Sequence, residues 1–229
     1  MRARAVILAR AVVLALGVAI TTPFVEPLVA QERVVDGIAD AAARDAVRAT
    51  LAQADAKGVP TAPLLTKVRE GLAKQASAPR IAQAVAQLGQ RLGLANDALA
   101  AATSADEVAA GAGALQAGVN ATALRDLRTR WPSAPLTVPL GVMTQLVASG
   151  VPVARAVSQV RLLLERGATA SQLVAFTSLV QADVAAGIAP DVAIMLRTNV
   201  NTNSVGASGL TNSGGPAGTT PPPPAHPRP

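Results

Sequence analysis

An all-α fold follows from three features of the sequence. Apolar residues recur with helical period, no stretch alternates apolar and polar residues long enough to make a strand, and glycines stand where the helical runs stop. Leu64, Leu65, Val68 and Leu72 share one helix face, and so do Ile81, Val85, Leu88 and Leu92. The expected architecture is a helical bundle built from a duplicated helix-pair unit, with a disordered C-terminal tail.

The first thirty residues read as a signal peptide. Arg2, Arg4 and Arg10 form a positive leader, Ala11 to Ile20 is an unbroken apolar run, and Leu28-Val29-Ala30 before Gln31 offers a small-residue cleavage site. The rival is an uncleaved anchor. A bilayer needs an apolar span of about 20 residues, and Arg10 on one side and Pro23, Glu26 and Pro27 on the other cut this run short. No later segment is long and apolar enough to span, so no stable membrane span is expected after cleavage. The protein is therefore expected to be exported, to a periplasmic or extracellular place in a bacterial envelope.

Residues 31–198 are expected to form one α-helical domain. Helices are predicted at about 36–57, 62–74, 78–101, 105–117, 121–131, 138–149, 153–166, 170–186 and 190–198. Gly58, Gly118, Gly150, Gly167 and Gly187 each follow a helical run and are suited to the left-handed residue that closes it. Ser104 with Glu107 and Thr169 with Gln172 have capping-box spacing. Thr61, Ser77 and Asn120 are further N-cap candidates.

Two stretches, 58–88 and 150–180, align without a gap at an offset of 92 residues, with nine identities in 31 positions. Gly58-Val59-Pro60 falls on Gly150-Val151-Pro152, Val68-Arg69 on Val160-Arg161, and Leu72 on Leu164. Each copy reads as a shorter helix, a tight turn and a longer helix. Because residues 104–149 match this unit poorly, the pattern favours a duplicated bundle over a regular solenoid.

Residues 199–229 change character. Asn, Ser, Thr and Gly give way to Pro221 to Pro224 and Pro227-Arg228-Pro229, with too little apolar surface to offset the entropy of ordering. A disordered tail is expected there.

Composition removes several chemistries. The chain has no cysteine and a single histidine, His226, which lies in the proline-rich tail. Thiol catalysis, thiolate metal sites, zinc sites and histidine-based triads are thereby excluded, so no metal and no cofactor is expected. The formal charge of +6 falls once residues 1–30 are removed, since 17 basic and 13 acidic side chains then remain, a net +4. That balance does not argue for nucleic acid as a partner. Gly111-Ala112-Gly113-Ala114-Leu115-Gln116 begins like a dinucleotide fingerprint but lacks its third glycine and a preceding strand. Its glycines suit close helix approach instead.

Carboxylate chemistry is what remains. Asp36 with Asp40, and Asp106 with Glu107, fit first helical turns, where negative charge complements the helix dipole. Glu70 is the isolated carboxylate that a hydrolase reading would use. Arg125, Arg128 and Arg130, followed by Trp131, form the one basic cluster and the candidate contact for an anion or partner. Residues 139–149 carry Leu140, Met143, Leu146 and Val147 in a stripe that would suit a membrane surface, although without Lys or Arg on the polar face. The functional expectation is a non-catalytic binding or structural module that contacts a protein or another envelope component. An envelope hydrolase and a peripheral membrane protein are the alternatives.

Overall fold

A computed structural model describes residues 33–100 and 104–207, with side chains described to residue 198. The signal-peptide expectation and residues 208–229 lie outside the described residues. Among the described residues, a helical turn at 33–36 is followed by nine helices: α1 (Ala41–Ala56), α2 (Ala62–Ala73), α3 (Ala78–Leu99), α4 (Ala105–Gln116), α5 (Ala121–Arg130), α6 (Thr137–Ala148), α7 (Val153–Glu165), α8 (Ala170–Ala185) and α9 (Pro190–Ala207). The described residues contain no strand, so the all-α expectation holds.

One local device ends most of these helices. At Gly58, φ is +64° and the next N–H, of Val59, turns back to the carbonyl of Ala54 at 2.9 Å. Gly58 N–H bonds the carbonyl of Asp55 at 2.9 Å. These are the paired bonds of a Schellman closure, which satisfy carbonyls that the helix end would otherwise orphan. The same backward bond joins Val119 to Ala114, Val151 to Leu146, Ala168 to Leu163 and Ile188 to Asp183, at 2.9–3.1 Å. All five glycines expected to close helices have positive φ. The sequence missed a sixth closure, where Gln75 takes φ +53° and Ala76 N–H reaches the carbonyl of Gly71 at 2.9 Å.

Helix starts depart more from expectation. α1 begins at Ala41, because Asp40 is its N-cap and accepts from Ala43 N–H at 2.7 Å. Asp36 is thus outside that helix, and its carboxylate meets Arg48 at 2.8 Å. Thr61 and Ser77 make no side-chain cap bond. Pro63 and Pro79 occupy the second helical position in each case, removing one N–H that such a hydroxyl would accept from. Asn120 caps Ala123 N–H at 2.8 Å, and Thr169 with Gln172 forms a complete capping box. At the other end, α9 continues to Ala207, nine residues beyond its expected stop. That part of the expected tail is helical.

The main helix packings run as a succession of neighbours. α3 is the hub of the first half, packed by α1, α2, α4 and α5; α4 then packs on α6, α6 on α7 and α8, and α8 on α9. Gly111 permits the α3–α4 crossing, since a Cβ there would lie 2.9 Å from Leu99 Cδ1 and 3.0 Å from Ala95 Cβ. The core follows this line, from Val47, Leu64 and Leu92 through Leu124 and Leu140 to Leu173.

The two similar stretches share their local order. Each has a closure, a helix of 12 or 13 residues, a second closure and a longer helix. Their packing differs, because α2 packs chiefly on the helix that follows it and α7 on the helix that precedes it. The turn motif also recurs at Gly118, between the stretches, so it is more widespread than the sequence alignment indicates.

Gln75 supplies a test of this closure. A residue with a Cβ at left-handed φ costs about 1 kcal/mol more than glycine. Gln75→Gly should raise the urea midpoint by an amount equivalent to about 0.5–1 kcal/mol, after allowing for glycine's greater unfolded-state entropy.

Candidate functional site

The basic cluster does not converge on one point. Arg125 is exposed and donates to the Thr122 hydroxyl at 3.3 Å. Arg130 reaches across to α7, where its guanidinium meets Glu165 at 3.2 Å. Arg128 turns inward. Its Nη2 meets the Glu107 carboxylate at 2.8 Å, and its Nη1 donates to the carbonyls of Trp131, Pro132 and Ala134 at 3.3, 3.0 and 3.1 Å. Trp131 is half-buried against the core, as a packing plug at the end of α5.

Glu107 explains the inward turn. It sits at the third position of α4, where Ser104 accepts from its N–H at 3.2 Å, so half of the expected capping box is present. Its carboxylate, only 6 % exposed, does not close the box. It accepts instead from Arg128 and from Leu136 N–H, the residue that opens α6. One carboxylate therefore ties the start of α4, the end of α5 and the start of α6, and negative charge at the α6 entrance suits that helix's dipole. Together Glu107 and Arg128 fix the 131–136 connection. These bonds clamp that connection, while Arg128 Nε, also buried, has no hydrogen-bond partner among the described residues.

Glu70 lies on the surface of α2 between two lysines. Lys67 Nζ approaches it at 2.5 Å and Lys74 Nζ at 2.6 Å. Hydrogen bonds from these lysines, Lys67 first, hold its carboxyl at about 2, well below the usual 4.5. It borders a shallow recess of about 410 Å³ between α2 and α4, with Thr66, Asp106 and Ala109. A carboxyl so acidic stays ionised near neutrality and has no proton to give as a general acid. Among the described residues, no three His, Cys, Asp or Glu side chains gather to hold a metal.

The stripe of residues 139–149 is not available to a membrane. Leu140, Met143 and Leu146 are fully buried in α6, between α4, α7 and α8. No helix among the described residues is long and apolar enough to cross a bilayer.

A further concave feature among the described residues is a cleft of about 400 Å³ between α1 and α3. Ala54, Val59 and Ala86 contribute apolar surface, and Thr50, Gln53 and Gln90 bring hydroxyl and carboxamide groups. Lys57 and Asp97 add one charge of each sign, and Leu94 lies exposed at its edge. Two glycines of α3 open into it, and they are unlike. A Cβ on Gly89 would meet Thr50 Cγ2 at 2.9 Å, so that glycine serves the α1–α3 approach. A Cβ on Gly93 would meet nothing within 4 Å. In the sequence this cleft leaves no mark beyond Gly89 and Gly93, four residues apart within one predicted helix.

Compared with known proteins, the chain matches no family model, no curated protein and no solved structure.

Two measurements test these assignments. Glu107→Ala leaves Arg128 buried without its partner and should cost about 3–5 kcal/mol in urea unfolding, whereas Asp106→Ala, on the exposed side of the same helical turn, should cost no more than about 1 kcal/mol. For Glu70, folding lowers the carboxyl pKa, so its ion pairs stabilise the fold above the usual value of 4.5 and lose that contribution as pH falls towards about 2. NMR titration should place the Glu70 carboxyl near 2, and K67A with K74A should return it towards 4.5.

Proposed function

We propose that this protein is a non-catalytic docking module of a bacterial cell envelope, and that the α1–α3 cleft receives an extended segment of a partner protein. The observation that carries the reading is Gly93. Glycine in a helix interior costs about 1 kcal/mol relative to alanine, and here no neighbouring side chain requires its small size. A glycine that packing inside the chain does not need, facing an open cleft, suits the close approach of another backbone.

The rest of the lining fits a peptide. Gln53 and Gln90 offer both donors and acceptors to main-chain amides, and Ala54, Ala86 and Val59 offer an apolar floor. Lys57 and Asp97 give the cleft one cationic and one anionic group, so neither a uniformly acidic nor a uniformly basic ligand is favoured. The non-catalytic part of the reading is supported by how the acids are occupied: Glu107 is committed to Arg128 and Leu136, and Glu70 to two lysines. Export rests on the leader-like residues 1–30.

In-cell crosslinking of the tagged protein, followed by identification of what is recovered, tests this. Gly93→Ala should add about 0.5–1 kcal/mol of stability, and Gly93→Phe should fold with the same helix content, since space is open at that position. A partner recovered with the wild-type protein should be lost with Gly93→Phe and weakened by Gln90→Ala. The same recovery from all variants would overturn the reading.

A further inference from the structure

The polar side chains that line the α1–α3 cleft are unoccupied. Gln53, Lys57, Gln90 and Asp97 make no side-chain hydrogen bond or ion pair within the described residues. Several other surface carboxylates are matched: Asp36 holds Arg48, Glu70 holds Lys67 and Lys74, and Asp191 holds Arg155. Lys57 and Asp97 have opposite charges and share one cleft, yet they do not pair with each other.

Their placement follows from the two helices. α1 and α3 approach where Thr50 Cγ2 would lie 2.9 Å from a Cβ on Gly89. Lys57 and Asp97 follow that approach by seven and eight residues and line the same cleft, so both charges stand beyond it at one end. Lys57 belongs to the α1 wall and Asp97 to the α3 wall. Leu94, three residues before Asp97 on the same helix face, is 53 % exposed. From Ala86 to Asp97 the α3 wall measures about 16 Å at 1.5 Å of rise per residue, which admits about five residues of extended chain at 3.3 Å each.

Successive side chains of an extended segment point to opposite sides. Two neighbouring residues at this end therefore face Lys57 on one wall and Asp97 on the other. The residue on the far side of the acid returns to the α3 wall, where Leu94 lies one turn back from Asp97. We propose that the cleft selects a partner segment carrying an aliphatic, an acidic and a basic residue in succession, the acid set against Lys57, the base against Asp97 and the aliphatic side chain on Leu94. This specificity rests on the docking reading of the cleft. A segment of one charge sign would set a like charge against one wall, and a neutral one would cover both charges without pairing either.

Selection of a random peptide library on the immobilised exported protein, with Gly93→Phe as the counter-selection, tests the proposal. Peptides that bind the wild-type protein and not Gly93→Phe should share the aliphatic–acidic–basic triplet, in either chain direction. Replacing the acid and the base of a selected peptide by Gln should weaken its binding, read by fluorescence anisotropy, by up to about fivefold for each pair. The doubly reversed protein, Lys57→Glu with Asp97→Lys, should lose its preference for that peptide and prefer the one with the two charges exchanged. Both positions are exposed, so its helix content by circular dichroism should be unchanged; should it fail to fold, Lys57→Gln and Asp97→Asn carry the test, each abolishing the preference for one of the two peptide charges. Gly93-dependent peptides without the charge pattern would overturn this specificity and leave the docking reading standing, as would a triplet whose binding ignores the charge variants. If no recovered peptide depends on Gly93, both fall.

Discussion

The left-handed closure is the constraint on which the rest of this structure depends. A helix with an apolar stripe does not stop because its stripe runs out; it stops where one residue takes positive φ and the next N–H folds back onto the last turn. In this chain the residue after each closure is apolar, and Val59, Val119 and Val151 are buried. Each closure therefore does two jobs: it satisfies the end of one helix and pins the first residue of the following link into the core. With helix ends fixed in this way, single faces are left to find neighbours, and a line of packed helices results.

At the link between α5 and α6, apolar packing is supplemented by charge. The connection between α5 and α6 has three carbonyls and one N–H to satisfy close to the core. Arg128 and Glu107 satisfy them together. Burial of the pair is tolerable because each charge is opposed by the other and both have further hydrogen bonds. Its value lies in fixing one path for the chain.

Much of the helix layout was legible in the sequence, and particular residues show why. Glycine has few other reasons to recur just past helical runs, so Gly58, Gly118, Gly150, Gly167 and Gly187 located five closures. Gln75 was invisible because a side chain at left-handed φ leaves no compositional mark. The caps at Thr61 and Ser77 were misread because the prolines that favour a helix start also remove a donor. The extent of α9 was misread because Asn, Ser and Thr suggest a loop, whereas adding one residue to an existing helix gains a hydrogen bond without a new nucleus. The arginine cluster was found as residues but not as geometry. Arg128 and Glu107 are 21 positions apart, and no periodic pattern links residues on different helices. The α1–α3 cleft was equally hidden, since a cleft is a relation between two helices and only its glycines belong to one.

Neighbour-to-neighbour packing also sets how the molecule comes apart. In such an array no single element holds the whole together, so opening begins where neighbours are fewest and travels inward. α9, with its principal packing on α8, is the natural place for the first opening, while α3, packed by four helices, is the last refuge of protected amides. Hydrogen exchange in this protein should accordingly form a gradient along the chain, slow near the buried Val85 and Leu92 and fast towards the C-terminal pair. Anything that covers α9 raises the low end of that gradient and makes the array more cooperative as a whole.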